Sequence, residues 1–510
     1  MKKTICLLLI LCSLAVLFAG CSENELPPAE EPTLPSEEST VPEIDEWGRP
    51  YVEDAVPRTL DFGNQEITFL LREGENFRYE WVMEEVDDAV DEAVFDRNAY
   101  VSEQLGVVFD YIYLPCNESG ASGTAVFDNA IINDLAADLG SYDFVSHFAG
   151  FGASIALMEC YVNLLDSEKL PYLDLSKPWW NENYQQASTV NDQLYFAVGS
   201  LNLSLLDRLN VIYYNMTLAE AYGLPNMYEL VLNGDWTYEK LYEYANTYYE
   251  DRDNNQKKST EDFFAVGGPM WTNSYDQYLQ GFQQSIVIET ADGTHVLREN
   301  DLDIWENSTK KIYALFQAEG AFLNMEGIIS ESEDKIVEMF ANRQILFAHQ
   351  VVSHNFKHNL LYRDMKDDFG ILPTPKYDTE QKEYGSNVGD CYNIVSIPAY
   401  SNLDGKMLSA VMELLYAESY RNVYPYYFER VMKTRYVKTE DSSMVFDLIL
   451  KQADFDFGQI YAVALDDMIQ KLWREPCYYE SISIPRSLLT YKGGLNQKLE
   501  ILDKWFGVLK

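Results

Sequence analysis

The regular alternation of strand-like and helical segments in the first third of the chain constrains the fold more than any other feature. Apolar strand-like runs alternate with helical periods at 66–71, 84–105, 107–114, 125–139 and 142–145. Gly106 and Gly140 follow the two helical segments, where glycine commonly ends a helix. Short connections in this order predict a parallel sheet covered by helices, with ligand loops beyond the carboxyl ends of its strands. We therefore expect a ligand loop at 146–152.

The rest of the chain is less regular. Further strands are predicted at 193–200, 210–215, 344–349, 369–373 and 389–398. Further helices are predicted at 236–249, 303–319 and 333–340, and helices dominate from residue 406 onwards. The 460 residues from Tyr51 to Lys510 exceed the usual size of a single hydrophobic core. The pattern therefore predicts an α/β protein of two lobes, the second of them mixed.

The N-terminus has the composition of a secretion signal. Lys2 and Lys3 precede an apolar run at 5–18, and Ala19-Gly20 stand before Cys21. The sequence LFAGC at 17–21 resembles the bacterial lipobox, in which the signal is removed and the cysteine is acylated. This predicts a signal peptide at 1–20 and a lipid anchor, such as palmitate, on Cys21. The alternative is an ordinary signal peptide with a chance cysteine.

The segment after Cys21 predicts a tether. Residues 22–46 contain five prolines, eight glutamates, Asp45 and no basic residue. Such a segment cannot bury enough apolar surface to fold, and its like charges keep it extended. We assign 21–60 to the lipidated N-terminus and a disordered acidic tether. A loosely packed N-terminal arm is the alternative.

Charge and cysteine content exclude several classes of function. With 38 basic and 82 acidic residues, the chain is not expected to bind nucleic acid or anionic membrane surfaces. The cysteines that follow Cys21 are Cys116, Cys160, Cys391 and Cys477. Their wide spacing gives no zinc or redox motif, and buried free thiols are expected, with disulfides as the alternative.

Several short motifs together resemble one known family. They are DEAVFDRN at 91–98 with LGVV at 105–108, GDWT at 234–237, FANRQILF at 340–347, FGILPTPK at 369–376 and VYPYY at 423–427. In order and spacing they are similar to bacterial extracellular solute-binding proteins of family 1, the maltose-binding-protein-like lipoproteins of ABC importers. Arg343 and Gln344 stand where that family usually has Gly and Lys.

The resemblance implies a two-lobe periplasmic-binding-protein fold of type II. Each lobe is expected to be a mainly parallel sheet flanked by helices. The expected lobes are 61–195 with 385–432, and 196–384 with 433–510. The hinge is expected near Gly199, 376–389 and 430–438, and its closure would trap a ligand.

The resemblance also implies a function and partners. The protein would be a monomer that captures a sugar or oligosaccharide and delivers it to the membrane subunits of an ABC permease. It would be anchored to the outer face of the cell membrane, which is the periplasmic side in a Gram-negative cell.

Aromatic side chains give the first candidate site. Flat aromatic faces cover the C–H surfaces of sugars, and the chain has 37 tyrosines and nine tryptophans, although tyrosines also fill cores. By the resemblance, Trp271 and Tyr275 fall where maltose-binding-type relatives place aromatic ligand contacts. Packing within the lobe is the alternative.

Four further residues are candidate ligand contacts. His147 follows the third predicted strand, where ligand loops belong, and His349 ends the strand at 344–349. Trp179 and Trp180 form an aromatic pair. Structural histidines and a packing cluster are the alternatives.

One loop has the spacing of a calcium site. Asp251, Asp253, Asn255 and Asp262 match oxygen-ligand positions of a calcium-binding loop. Gln256 stands where such a loop needs glycine. A solvated turn is the alternative, and no other metal or cofactor is expected.

The sequence gives little support for catalysis. It has no Gly-x-Ser-x-Gly nucleophile elbow and no phosphate-binding loop. We therefore expect a binding protein rather than an enzyme. The alternatives are a surface-anchored carbohydrate-active enzyme of the glycoside hydrolase kind and a binding protein for another solute, such as a peptide.

Overall fold

The computed structural model describes most of the chain after the N-terminal segment. The described residues are 44, 49–74, 79–81, 89–117, 121–269, 272–325, 329–352, 361–362, 364–428 and 439–510. Several predictions lie outside them: the signal peptide at 1–20, the lipid anchor on Cys21, the tether at 22–43 and 45–48, Trp271 and the expected hinge at 430–438. The chain divides into two units, Met1–Tyr51 and Val52–Lys510. In the first unit, an isolated bridge pairs Ile44 with Pro50.

The second unit contains the regular elements. The strands are β1 (Gln65–Glu73), β2 (Val107–Pro115), β3 (Phe144–Phe148), β4 (Asn210–Asn215), β5 (Tyr249–Glu250), β6 (Phe263–Pro269), β7 (Val287–Glu289), β8 (His295–Leu297), β9 (Ala321–Asn324), β10 (Ile345–Val351), β11 (Phe369–Leu372), β12 (Ser386–Asn387), β13 (Asn393–Ser396) and β14 (Ala453–Asp454).

The α-helices are distributed over the whole unit. They are α1 (Ala89–Leu105), α2 (Ala121–Ala137), α3 (Ala149–Ala156), α4 (Glu182–Ser188), α5 (Leu203–Asp207), α6 (Met216–Ala221), α7 (Met227–Leu232), α8 (Tyr238–Thr247), α9 (Gln277–Gly281), α10 (Leu302–Gln317), α11 (Ile329–Ala341), α12 (Gly405–Glu418), α13 (Glu440–Lys451), α14 (Phe457–Ile460), α15 (Met468–Tyr478) and α16 (Ile484–Trp505).

The first sheet confirms the predicted alternation. Its order is β13-β3-β1-β2, and β1 runs parallel to both β2 and β3. Phe69 at its centre stacks on Phe144 with 4.9 Å between ring centroids. Gly106 and Gly140 have φ of +59° and +65°, so each occupies the left-handed conformation that favours glycine after a helix.

The second sheet is mixed. Its order is β11-β4-β10-β6-β5, with β9 paired to β6. The pairs β10–β6 and β6–β9 are parallel, whereas β4 runs antiparallel to β10 and β11. The residue pattern predicted this mixture. The expectation of a mainly parallel sheet holds for the first sheet only, because β4 runs against both of its neighbours.

Three crossing segments lie between the two sheets. β12 pairs in parallel with β14, and Leu209 forms a bridge with Val388. Beside them the Asn210 side-chain amide donates to Asn387 Oδ1 at 2.7 Å. The chain therefore passes through this region where β4 begins, around β12 and around β14. The hinge expected near Gly199 and 376–389 and the exact lobe boundaries stay predictions.

The predicted strand at 193–200 is wrong. These residues form isolated bridges, of which one joins Ala197 to Val395 and another joins Gly199 to Trp180. The segment is extended, but its backbone groups bond in turn to several neighbours, including Leu164, Asn181 and Val395. A continuous ladder with one partner strand does not form, although the apolar side chains are buried as predicted.

The four described cysteines are free thiols, and Cys391 is the one that is partly exposed. Burial raises the pKa of Cys116 to about 11, as expected for an unreactive thiol in an apolar site. No helix in the described part of the chain combines the length and apolar character of a membrane span.

Gly199 gives a test of the close packing between its own segment and the backbone at Trp179. A Cβ added there would lie 2.1 Å from the backbone oxygen of Trp179, which has no room to move. We expect Gly199→Ala to lower the free energy of unfolding by about 3 kcal/mol. Urea denaturation measures the change.

Gly493→Ala is the matched control for this substitution. Gly493 lies in α16, and an added Cβ would have no neighbour within 4 Å. We expect this variant to gain about 0.5–1 kcal/mol, because alanine favours helix more than glycine does. Equal stability of the two variants would contradict the close contact at Gly199.

Candidate functional site

A cleft of about 510 Å³ opens where the carboxyl ends of strands from the two sheets meet. Gly150 and Phe151, directly after β3, line it on one side. Tyr275 lines it on the other side, in the π-helical segment Thr272–Asp276 that follows β6. The segment 146–152, expected to be a ligand loop, forms the end of β3 and the start of α3 instead. Its Gly150 and Phe151 border the cleft, and its ligand role stays a prediction.

The third wall of the cleft is α15 and the turn before it. Its cleft-facing residues recur at intervals of three and four, which places them on one face of the helix. They are Asp467, Gln470, Lys471, Arg474, Glu475, Tyr478 and Tyr479. Because this face carries carboxylate, amide, ammonium, guanidinium and phenol groups, it can bind hydroxyls and stack on flat apolar surfaces.

Aromatic rings line the cleft beside these polar groups. Tyr479 is 49% exposed, and its ring meets that of Tyr478 edge to face at 4.4 Å. Tyr275 is almost fully buried, and its backbone oxygen accepts a hydrogen bond from the Trp473 indole at 2.9 Å. Phe151 lies across the cleft, after β3. Exposed and fixed aromatic rings on two sides are suited to the faces of a sugar.

An ion pair joins two walls of the cleft. The Arg474 guanidinium donates from Nε to both carboxylate oxygens of Asp276, at 2.8 and 3.0 Å, and from one terminal nitrogen to the same carboxylate. Burial opposes the charge of Arg474, but the Asp276 carboxylate outweighs it and raises the pKa of Arg474. The pair fixes α15 against the segment that follows β6.

The cleft continues inwards into a narrow cavity of about 60 Å³. Its walls include Asn210, Asn387, Asp390, Asp456 and Gln459. The Asn387 side-chain amide donates to Gln459 Oε1 at 3.0 Å, which holds the crossing strand β12 against α14. Gly150, Asp390, Gln470 and Arg474 line both the cleft and this inner cavity, so the two spaces are continuous.

Asp456 is the acid at the site whose pKa is shifted most from its ordinary value. It is 6% exposed and caps the N-terminus of α14 by accepting the backbone N–H of Gln459 at 3.2 Å. Burial raises the pKa of Asp456 to about 7, and the neighbouring Asp454 carboxylate adds to the shift. The Asp456 carboxyl group therefore keeps its proton to a higher pH than an ordinary aspartate does.

The structure places the predicted residues differently. Of the six ligand candidates, it brings Tyr275 to the cleft. His147 is buried, with Nε2 bonded to Asp128 at 2.8 Å and Nδ1 to the Phe148 backbone oxygen at 2.9 Å. The ligand role predicted for His147 stays a prediction, and this geometry favours the structural alternative.

His349 is also buried. Its Nε2 accepts the hydroxyl of Tyr278 at 2.7 Å, and its Nδ1 donates to the backbone oxygen of Gly267 at 3.2 Å. Burial lowers the pKa of His349 to about 4, so the ring is neutral. With both nitrogens bonded inside the second lobe, the packing alternative is again favoured.

Trp179 and Trp180 border a separate cavity of about 180 Å³, which Gly199 and Ser200 also line. Trp180 stacks on Tyr416 with 4.0 Å between centroids. This pair therefore lies away from the cleft, as the packing alternative predicts. Trp271 lies outside the described residues.

Sequence reasoning missed the α15 face and Asp276. The spacing of polar and aromatic residues from Asp467 to Tyr479 indicates that they share one face of a helix. A helical face of this kind is usually solvent-exposed, and its position opposite Gly150 depends on the tertiary fold.

The loop predicted to bind calcium brings its carboxylates together. One carboxylate oxygen from each of Asp251, Asp253 and Asp262 lies within 4.8 Å of the others. These carboxylates are bonded by the loop itself: Asp262 accepts the N–H of Arg252 at 3.1 Å, and Asp251 accepts that of Gln256 at 2.9 Å. These contacts are typical of a solvated turn, and a metal at Asp251, Asp253, Asn255 and Asp262 stays a prediction.

The raised pKa of Asp456 predicts a pH-dependent stability. Between its ordinary value of 3.8 and about 7, the folded protein holds a proton that the unfolded chain releases. The contribution of Asp456 to stability therefore falls as pH rises through this window. We expect Asp456→Asn to raise the free energy of unfolding by about 3 kcal/mol at pH 8 and to change it little at pH 4. Urea denaturation at several pH values measures this.

Asp404→Asn is the control for this experiment. Asp404 caps α12 by accepting the N–H of Lys406 at 2.8 Å, so the same change is made at another helix cap. Asparagine caps helices as well as aspartate does, so each variant keeps its cap. Asp404→Asn is measured over the same pH range, so that the profile of Asp456→Asn can be compared with that of the same change at another helix cap. If the unfolding free energy of Asp456→Asn changed with pH in parallel with that of the unchanged protein, the raised pKa of Asp456 would be contradicted.

Comparison with known proteins identifies the fold. No family model matches the sequence, and no curated protein matches it. Among solved structures, the chain is similar to the sugar-binding protein MalE from Xanthomonas citri, with a TM-score of 0.59 and 11% identity, covering 88% of this chain and 100% of that one.

Two further structures give the same result. A sugar transporter protein from Rhizobium etli, in an open conformation, matches with a TM-score of 0.54 and 13% identity over 84% of this chain and 99% of that one. Maltose-bound MalE3 from T. maritima matches with a TM-score of 0.52 and 12% identity over 86% and 99%. This chain has the two-lobe, type II fold of these solute-binding proteins.

Proposed function

We propose that this protein is the extracellular solute-binding component of an ABC importer and that it captures a sugar or oligosaccharide in the cleft. The observation that carries the proposal is the cleft itself. It lies at the carboxyl ends of β3 and β6, and it combines the half-exposed ring of Tyr479 and the partly buried ring of Tyr478 with a polar helical face. Pre-formed clefts with aromatic walls and a few convergent polar groups are typical of sugar sites.

The structural neighbours support this ligand class. Their names describe sugar-binding and sugar-transport proteins, one of them with maltose bound. Because these neighbours are 11–13% identical to this chain, they support the ligand class and not a particular sugar. The short motifs at 234–237 and 369–376, which resemble family 1 solute-binding proteins, are a separate argument for the same family.

The mechanism follows from the position of the cleft. A ligand that touches Phe151 on one side and Tyr479 on the other makes both contacts only when the walls are close together. It therefore binds the closed form more tightly and shifts the population towards it. No chemical step is required of the protein, and the permease would receive the closed, loaded form.

Cys21 supplies the proposed attachment to the membrane. An acylated Cys21 followed by the acidic, proline-rich segment would hold the folded body near the permease, on the outer face of the membrane. A single monomer is sufficient for this role, because both walls of the cleft come from one chain.

Tyr479 tests the sugar site. We expect titration with the correct mono- or oligosaccharide to raise the midpoint of thermal unfolding, because the ligand binds only the folded state. Tyr479→Ala removes a half-exposed ring from the cleft, and we expect it to weaken binding about tenfold without a loss of stability. Isothermal titration calorimetry measures the affinity.

Tyr100→Ala is the matched control. Tyr100 lies on α1 and is 41% exposed, so the same area of ring is removed at another site. Its affinity should equal that of the unchanged protein. Equal losses of affinity in Tyr479→Ala and Tyr100→Ala would contradict a sugar site in the cleft. Hydrolysis of the sugar during titration would favour the alternative function, a carbohydrate-active enzyme.

Lipid attachment is tested separately. In a bacterial host given a radiolabelled fatty acid, we expect the full chain to carry label and to sediment with membranes. Cys21→Ser should lose both properties, because the serine hydroxyl does not replace the acylated thiol. Membrane association that persists in Cys21→Ser would contradict the anchor and would leave the sugar site unaffected.

A further inference from the structure

The inner cavity of the cleft is rich in hydrogen-bond acceptors. It narrows to about 60 Å³ between Asn210, Asp390 and Asp456. Resting on the proposed function, we propose that this cavity takes the protonated primary amine of an amine-bearing sugar. The rest of the sugar would occupy the outer cleft of about 510 Å³.

Asn210 provides the first observation. It is 2% exposed, and its amide nitrogen donates to Asn387 Oδ1 at 2.7 Å, which fixes the orientation of the side chain. Its own Oδ1 has no hydrogen-bond partner among the described residues. A buried carbonyl without a donor costs about 1–3 kcal/mol, so a ligand that supplies an N–H is favoured here.

Gln470 gives a second acceptor in the same space. Its Oε1 is buried and also lacks a partner within the described part of the chain. Gln470 lines both the outer cleft and the inner cavity. Its side chain therefore lies where a donor entering from the outer cleft would pass.

Asp456 provides the negative charge. Its described partners are backbone N–H groups of α14, at Gly458 and Gln459, and its pKa is raised because burial is not offset by a basic side chain. A cation in the cavity would compensate this buried charge.

The basic side chains at the cleft are paired with protein acceptors, including Arg474, which lines the inner cavity together with its partner Asp276. The Arg474 guanidinium bonds to both oxygens of Asp276, and the Lys471 ammonium donates to the Asp466 backbone oxygen at 2.9 Å. Asp390 also borders the inner cavity. Among the described residues, the buried side-chain atoms at this cavity that lack a partner are acceptors, namely Asn210 Oδ1 and Gln470 Oε1.

Hydrogen-bonding capacity distinguishes an ammonium from a hydroxyl group here. The cavity of about 60 Å³ is far smaller than the outer cleft of about 510 Å³, and it accepts a small polar group, since about 10–15 Å³ already holds one water molecule. An ammonium has three donors and no acceptor, so it can satisfy Asn210, Gln470 and Asp456 together. A hydroxyl donates once and presents its lone pairs to the remaining acceptors.

The test compares sugars that differ at one group. Glucosamine and its disaccharide carry the amine, N-acetylglucosamine and its disaccharide mask it, and glucose lacks it. We expect the amine-bearing sugars to bind the full chain about tenfold or more tightly than their neutral counterparts, by calorimetry at pH 7.5. Asp456→Asn should reduce this preference to about twofold or less, and Asp404→Asn should retain it.

The outcomes separate this inference from the proposed function. If neutral sugars bind as tightly as amines, or if Asp456→Asn keeps the preference, the amine site is wrong while the sugar function stands. If putrescine binds and no sugar does, the amine site stands and the sugar function fails. Loss of folding cannot mimic the result, because the unfolding free energy of Asp456→Asn is expected to rise at this pH.

Discussion

A buried hydrogen-bond network around Asn393 joins β1 and β13 to the start of α5. Arg72, at the end of β1, donates to Asn393 Oδ1 at 3.1 Å, and the Asn393 amide donates to Glu80 at 2.6 Å. At the start of α5, the Ser204 hydroxyl accepts the backbone N–H of Asn393, and the Asn202 side-chain amide donates to the backbone oxygen of Asn393. Polar groups buried this deeply are costly unless they are bonded, so each segment depends on the others.

The position of the cleft follows from this network. Asn393 begins β13, which pairs antiparallel with β3, and Asp390 stands three residues before it. Gly150 follows β3 so closely against Asp390 that an added Cβ would lie 3.0 Å from its carboxylate. The network that closes the first sheet therefore also sets the wall where the outer cleft meets the inner cavity.

Local patterns predicted the first sheet, and topology predicted a ligand loop at its edge. The sequence pattern predicted a strand at 389–398, but periodicity cannot place β13 beside β3, because β3 lies far earlier in the chain. Nor does it distinguish a buried histidine from one in a cleft: His147 and His349 follow or end strands as ligand residues do, yet both rings are bonded internally. Tyr275 was reached by resemblance, and the α15 face required the tertiary fold.

Raised pKa values alone do not identify the site. Burial raises the pKa of Glu80 and of Asp456 to about 7 in each case. Glu80, however, is enclosed by protein donors, since its two oxygens accept the Ser204 N–H and the Asn393 amide, both at 2.6 Å. Asp456 borders a cavity where Asn210 Oδ1 also lacks a donor among the described residues. Both acids accept donors from the protein, but Asp456 also faces a cavity with an acceptor that lacks a described donor, and the proposed amine site rests on this difference in geometry.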